Sequence, residues 1–456
     1  MPRTAAPLRD DALEIWRAGL SAVDSARLVR DTVRVEGNQL LVAGERWDLK
    51  RIGRIVVVGA GKAGAGMAAG LLEALGVGVV AEKQLTGWLN VPADCVRSTG
   101  PITLHPARAA GSNEPTAAGV AGAEQILRRV RSLRPDDLCV CLISGGASAL
   151  LPAPVEGITL ADKLAVTRHL SAAGADIVDL NTVRKHLSQV KGGGLARACR
   201  AGRLITLVIS DVIGDPLDVI ASGPTVADTT TAEQALAVLE KYGAREAGVA
   251  QAVFDHLERA RQPVSGPAAR SPENPDLVCA NVVIGNNATA VDAARKEAER
   301  RGYSHAPHAD GEPEGFAEDV GGRLAERALR MRRSGGPDCL VSGGEPVVRL
   351  VSAQRRGRGG RNQQLALAAL VAFEKQGCDG IALVAGGTDG EDGPTDAAGA
   401  MVNADILNAA RRLKLDAADY LGRNDAYHFF EPLGGLLKTG PTHTNVCDVR
   451  VVVVEC

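Results

Sequence analysis

Six short apolar runs in this chain stop at glycine- or serine-rich turns, and this recurrence limits the folds open to it more than any other feature. The runs are Arg54–Gly59, Leu138–Ile143, Leu204–Ile209, Val282–Ile284, Leu340–Val341 and Ile381–Val384. They lack the alternation of a half-exposed strand, so they read as strands buried on both faces, as in parallel sheets. Helical stretches rich in Ala, Leu and Arg lie between them at 116–133, 160–175, 288–301, 316–333 and 362–376. Strand, tight turn and helix in repetition predict an α/β fold of two lobes, each a mostly parallel sheet flanked by helices. The 456 residues suffice for two or three domains. The segment Arg261–Pro275, rich in Pro, Ser and Gly, is the best linker, which predicts domains at 1–260 and 275–456. An amphipathic helix is expected over 9–30, with Leu13, Trp16, Leu20, Val23 and Leu28 on one face, followed by a polar ribbon over 32–49 and a last strand at Val449–Val454.

Composition removes several functional classes. Lys and Arg number 52 against 54 Asp and Glu, and aromatic residues make up 3%, so neither a basic surface nor stacking platforms for a polynucleotide are expected. No uninterrupted apolar stretch reaches the ~18–20 residues of a spanning helix, and no signal-peptide core precedes the first helix. Nine cysteines are scattered without a CxxC, which predicts buried thiols in a reducing, cytoplasmic setting. The eight histidines form no HExxH, and their one close pair is His305 with His308, so no zinc site is expected.

Chemistry gathers at the turns. Gly59-Ala-Gly61-Lys62-Ala-Gly64 has GxGxxG spacing at a strand-to-helix turn, where backbone N–H groups and the helix dipole favour an anion. Glu82 follows at the distance of a ribose-gripping acid in a dinucleotide fold, which makes the first lobe Rossmann-like; the same glycines also suit any tight turn. Lys62 adds an ammonium suited to a charged substrate, while GxxxxGK[ST] is absent. Ser144-Gly145-Gly146-Ala-Ser148 offers amides and two hydroxyls to a phosphate, but fails as a nucleophile elbow because Leu150 replaces the final glycine. Residues 179–194 read as a cationic helix with Arg184, Ser188 and Lys191 on one face, either toward a polyanion or toward solvent.

Asp211 and Asp215 close a strand, where open α/β sheets place ligand groups, and suit either Mg²⁺ or a capped turn. In Arg355-Arg356-Gly-Arg358-Gly-Gly-Arg361-Asn362, guanidiniums on a glycine loop suit bidentate contact to carboxylate or phosphate. Thr388-Asp389-Gly-Glu391-Asp392 is an acidic counterpart without EF-hand spacing. An embedded lysine, an arginine loop and acidic strand ends are the parts of phosphoryl transfer, which works by positioning and charge neutralisation. Hydride transfer from a nicotinamide held at Gly59–Gly66 is the rival.

Taken in order, the motifs resemble the glycerate 2-kinase family, whose C-terminal half is the MOFRL domain. The resemblance is carried by Gly-Ala-Gly-Lys-Ala (59–63), Ile-Ser-Gly-Gly-Ala-Ser-Ala-Leu (143–150), Asn-Thr-Val-Arg-Lys-His-Leu-Ser (181–188), Ser-Asp-Val-Ile-Gly-Asp (210–215), Ala-Ser-Gly-Pro-Thr (221–225), Gly-Arg-Gly-Gly-Arg-Asn-Gln (357–363), the run 387–399 and Thr-Gly-Pro-Thr (439–442). It implies ATP-dependent phosphorylation of D-glycerate on its 2-hydroxyl, with Mg²⁺, giving 2-phosphoglycerate and ADP in an interlobe cleft. It implies catalytic roles for Lys62 and for Arg358 or Arg361. Placement adds Asp211 as a catalytic carboxylate, Asp211, Asp215 and Asp389 as metal ligands, and Gly59, Gly61, Ser144, Gly145, Gly146, Ser148, Arg184, Lys191, Asn362 and Thr388 as substrate or phosphate contacts. The alternative is an NAD(P)H-dependent hydroxypyruvate reductase. The partners expected are the small acid and the nucleotide, without nucleic acid or membrane, and a homodimer is compatible. His443 replaces a glycine of the family pattern, and a side chain there narrows the cleft.

Overall fold

The computed structural model describes residues 7–261, 276–305 and 314–455; the linker expected at 261–275 lies outside them apart from Arg261, as does His308. Two compact units emerge, one of residues 25–284 and one joining residues 1–24 to 285–456. The division is thus discontinuous in sequence, unlike the single cut placed near residue 260.

In the unit 25–284, six strands form one sheet: β1 (Ile55–Ala60), β2 (Thr86–Pro92), β3 (Ile102–Arg108), β4 (Leu138–Ile143), β5 (Arg203–Ile209) and β6 (Val278–Gly285). Their order is β3-β2-β1-β4-β5-β6, and the pairs from β3 through β5 are parallel. Every residue of β1 and β4 is buried, which explains their unbroken apolar sequences. The chain steps outward from β1 to β3 and then returns to the other side of β1, so the order reverses between β1 and β4. Open α/β sheets bind ligands at such a reversal, beyond the carboxyl ends of the strands.

Two glycines make this close pairing possible. A Cβ on Gly59 would lie 1.9 Å from Leu142 O, and one on Gly61 would lie 2.0 Å from Ser144 Oγ; both residues hold φ near +140° (+145° and +141°). Only glycine combines that conformation with that approach. The helix Gly64–Glu82 continues from the turn. It is long and apolar enough to cross a bilayer, but residues 64–68 and Gly70, Leu71 and Leu75 are buried. A Cβ on Gly70 would meet Ala26 O at 2.3 Å, so this face packs against the helix Ser25–Thr32. The polar ribbon over 32–49 is a three-stranded antiparallel sheet between Val33 and Asp48, whose Val33, Leu40 and Val42 meet Leu71, Leu75 and Leu138 around a small apolar cavity.

The other unit holds β7 (Cys339–Gly344), β8 (Ile381–Gly387), β9 (Gly399–Asn403), β10 (Leu436–Leu437) and β11 (Asp448–Val454), ordered β7-β11-β8-β9-β10. All neighbouring pairs are antiparallel, which corrects the expectation of a second parallel sheet. The crossover from β7 to β8 through the helix Arg361–Phe373 does leave those two strands running the same way. The final strand β11 takes the slot between them in the opposite direction, and an apolar run carries no sign of the direction of its neighbours. Ser342-Gly343-Gly344 likewise stays in the strand, paired with Asp448–Arg450, instead of turning into a helix.

The helix expected over 9–30 is two helices, Leu8–Ala22 and Ser25–Thr32, one in each unit. The first buries Asp11, Ala12, Ile15, Trp16 and Gly19. Trp16 Nε1 donates to Val449 O at 3.1 Å, and Asp11 accepts from Arg301 Nη1 at 2.6 Å and Tyr303 Oη at 2.7 Å. Val23 O accepts from Thr444 Oγ1 at 2.7 Å where the chain leaves this unit. Truncating a buried Trp costs about 3–5 kcal/mol. Trp16→Ala is therefore expected to lower the denaturation midpoint and to speed hydrogen exchange in β8 and β11, read by peptide-resolved mass spectrometry.

Candidate active site

Beyond the carboxyl ends of β1 and β4, the two glycine turns of the unit 25–284 lock into each other. Lys62 N donates to Gly145 O at 3.0 Å, Ala63 N to Ser144 Oγ at 3.0 Å, and Ser144 N to Ala60 O at 3.1 Å; Gly61 N reaches across β2 to Asn90 O at 3.1 Å. The amides of Gly61, Lys62 and Ala63, which the spacing pointed at an anion, are therefore spent inside the protein. In the second turn, the amides of Gly145 and Gly146 donate to no described residue.

Cations surround this second turn. Gly146 holds φ +80°, and a Cβ there would lie 3.2 Å from Arg108 Nη2 and 3.9 Å from Lys62 Cγ. Arg108, the buried last residue of β3, was missed by the sequence reading; the available signal was a charged residue closing an apolar strand. The helix bearing Arg184 runs over Ile177–His186 and stops at Leu187, so Arg184, Ser188 and Lys191 do not share one helical face. Leu187 caps the helix and Ser188 already pairs with Pro154 in an extended bridge. Arg184 and Lys191 nevertheless converge on one hydroxyl: Ser148 Oγ accepts from Arg184 Nη2 at 2.6 Å and from Lys191 Nζ at 2.7 Å. Lys191 Nζ also reaches Ser148 O at 3.1 Å and Ser222 Oγ at 3.2 Å, and Ser222 Oγ donates to Asn181 Oδ1 at 3.2 Å.

No carboxylate among the described residues pairs with Arg184, Lys191 or Lys163. Burial, reinforced by Arg184 and Lys163, holds the Lys191 ammonium well below its usual value. Burial and Arg184 push Lys163 down to about 7. Backbone strain accompanies this charge, since Asp215, Ala221 and Ser222 hold φ of +54°, +54° and +60°.

Asp211 and Asp215 follow β5 and are half-buried. Two carboxylates are the sparse set that Mg²⁺ usually takes from protein while keeping waters and phosphate oxygens, so the donor chemistry fits that ion. Among the described residues no group of three or more His, Cys, Asp or Glu could hold a metal alone. Asp389 belongs to the other unit, where its Oδ1 accepts from Glu391 N at 3.1 Å.

In that unit the two candidate arginines differ sharply. Arg361 is a strut: its Nε and Nη2 bind the fully buried Asp448 at 2.7 and 3.0 Å, and its Nη1 binds Glu345 at 2.7 Å. Arg358 is exposed, lies 4.5 Å over the Tyr427 ring and donates Nε to Pro394 O at 3.0 Å. Tyr427 is itself fixed by Asp396 at 2.7 Å and Lys438 at 3.2 Å. Asn362 and Thr388 are buried in the scaffold. Asn362 N and Gln363 N donate to Asp392, while Thr388 Oγ1 donates to Cys447 O and accepts from Val446 N. Asp392 thus caps the helix Arg361–Phe373, and burial pushes its carboxyl up to about 7.

The dinucleotide reading loses its acid. Glu82 ends the helix Gly64–Glu82, far from the glycine turn at the other end, with its side chain 66% exposed and paired with Lys83 at 2.8 Å. The carboxyl end of β2, where a ribose would be gripped, carries Asn90 instead, and Asn90 is buried in hydrogen bonds to Gly119 O and Leu150 O.

Two family models match the chain: a domain of unknown function, DUF4147, over residues 11–258 and the MOFRL family over 338–448. Glycerate kinase of Rattus norvegicus is 37% identical, covering 98% of this chain and 93% of its own. A solved structure of glycerate kinase from Thermotoga maritima superposes with a TM-score of 0.81 at 33% identity, covering 98% of this chain and 99% of its own. The chain belongs to the MOFRL-domain glycerate kinase family. A relative in Agrobacterium vitis, provisionally described as a hydroxypyruvate reductase, is 41% identical over 88% of this chain and 87% of its own.

For this glycerate kinase relative, Arg361→Ala leaves the buried Asp448 carboxylate uncompensated and is expected to cost about 3–5 kcal/mol in denaturant unfolding, whereas Arg358→Ala stays within about 1 kcal/mol. Asp392 generates a pH test. A carboxyl raised on folding contributes stability below its unfolded value near 4 and loses it as pH rises through 7. The destabilisation caused by Asp392→Asn is therefore expected to shrink between pH 4 and pH 8 in parallel urea titrations.

Proposed function

We propose that this protein transfers the γ-phosphoryl group of ATP to the 2-hydroxyl of D-glycerate, releasing 2-phosphoglycerate and ADP. One observation carries the reading. At the reversal between β1 and β4, Lys62, Arg108, Arg184 and Lys191 gather around the Ser144–Ser148 turn, in the place where this sheet type binds ligands. Both proposed reactants are anions, and phosphoryl transfer is accelerated chiefly by fixed positive charge and alignment. The relatives named as glycerate kinases support the same acceptor.

In the reaction the 2-oxygen bonds to the γ-phosphorus, the bond from that phosphorus to the bridging oxygen of ADP breaks, and the hydroxyl proton passes to a carboxylate. Asp211, at the end of β5, is our candidate for that carboxylate. Lys62 neutralises charge on the transferring group. Asp211 and Asp215 would hold Mg²⁺, which when bound screens the nucleotide phosphates. The arginine role implied by the family resemblance falls to Arg358, because Arg361 is committed to Asp448 and Glu345. The free cysteines among the described residues, mostly buried, suit the cytoplasm as the site of action.

Purified protein supplied with ATP, Mg²⁺ and D-glycerate is expected to release ADP, and phosphorus NMR should show the 2-phosphate ester. Lys62→Ala should lower kcat/KM by about 10²–10³-fold, the range for removing one charge-stabilising donor, with little change in Tm. Absence of ADP release with D-glycerate overturns the proposal.

A further inference from the structure

We infer that Arg184, Lys191 and Ser148, with the open amides of Gly145 and Gly146, form the seat for one small carboxylate, that of the acceptor acid, and not a cradle for the nucleotide's polyphosphate. The identity of the acid rests on the kinase reading above; the carboxylate seat does not.

Charge gives the first reason. Lys191 is 3% exposed and has only hydroxyl and carbonyl partners, and its charged neighbours Arg184 and Lys163 are both cations. Burial without a described carboxylate partner disfavours the ammonium form of Lys191, and an anion bound beside Arg184 would restore it, so the cluster suits one incoming anion. Hydrogen-bond direction gives the second. Ser148 Oγ already accepts from both cations and has one proton to give, with Ser222 Oγ 3.2 Å away. The Lys191 donors are thereby consumed inside the cluster. Arg184 uses Nη2 on Ser148 and makes one long 3.5 Å contact from Nη1 to Asn181 Oδ1. A guanidinium has five N–H donors, and this one is half-buried, so donors beyond those two contacts remain for a ligand.

Size gives the third reason. A polyphosphate nest needs a run of open backbone amides, but those of Gly61, Lys62 and Ala63 are taken by Asn90, Gly145 and Ser144. Lys62 and Arg108 lie beside Gly146, and on the Ser148 side of the turn what remains is one planar fork and two amides, which matches the two oxygens of a single carboxylate. Ala221 and Ser222, whose carbonyl and hydroxyl fix Lys191, sit in strained left-handed conformations, as expected of a backbone shaped around this charge.

The test measures binding without turnover. Calorimetry on the full chain, free of nucleotide, compares D-glycerate, glycolate, L-lactate and neutral glycerol, with ADP titrated separately. The wild type is expected to bind hydroxy acids and not glycerol. Arg184→Gln should weaken acid binding at least tenfold and leave the ADP Kd within twofold. Ser148→Ala, a smaller change that leaves the backing cations in place, should weaken acid binding severalfold. Weaker ADP binding with acid binding intact would make the cluster a phosphate site and overturn the inference. Equal affinity for glycerol, no binding of any acid at millimolar concentration, or no effect of either variant would also overturn it. If acids bind through Arg184 but D-glycerate yields no ADP, the seat survives and the kinase reading falls.

Discussion

The interlocking of two glycine turns is the constraint on which the ligand-binding half depends. Because β1 and β4 approach so closely that no Cβ fits at Gly59 or Gly61, the turn after β1 can hydrogen-bond directly to the turn after β4. That contact fixes the path of Ser144–Ser148, and the path brings Ser148 to Arg184 and Lys191 and Gly146 to Lys62 and Arg108. Glycines that look like a ligand loop in isolation thus act one step earlier: they hold a neighbouring turn whose Gly145 and Gly146 amides donate to no described residue.

Charged side chains serve in two opposite ways. Beside the Ser144–Ser148 turn of the unit 25–284, Arg184 and Lys191 meet on one hydroxyl with no described carboxylate partner, an arrangement that favours an incoming anion. In the other unit Arg361 is answered by Asp448 and Glu345, Arg450 by Glu314, and Arg301 by Asp11 and Glu297. These pairs serve as struts, since removal of one partner would leave the other charge stranded. Arg358 is the contrast within this unit, held over an aromatic ring whose phenol is fixed from behind, so its guanidinium is oriented without being neutralised.

Much of this was legible in the sequence because buried parallel strands announce themselves through composition. The limits of β4 were read to the residue, and helices such as Ala117–Arg131 and Asn287–Arg300 within one or two. What could not be read depended on partners distant in the chain. The direction of β11 relative to β7 and β8 leaves no local trace. The break at Val23–Asp24 is imposed by two packing environments, while the apolar spacing runs through it without interruption. Arg108 looks like any strand-end arginine until β3 sets it beside Gly146. The expected stripe of Arg184, Ser188 and Lys191 is the converse case. Its helical geometry does not exist, yet two of its members meet, because the chain leaves the helix at Leu187 and runs back along Ala153 and Pro154, which brings Lys191 to the same hydroxyl.

The composition of the unit that joins residues 1–24 to 285–456 bears on how the chain matures during translation. The helix Leu8–Ala22 is made before residues 25–284, but β11, which occupies an interior position of the same unit's sheet, is made after them. Trp16 therefore has no Val449 carbonyl to meet until β11 exists, and this helix must wait with its apolar face uncovered while a whole separate unit is synthesised in between.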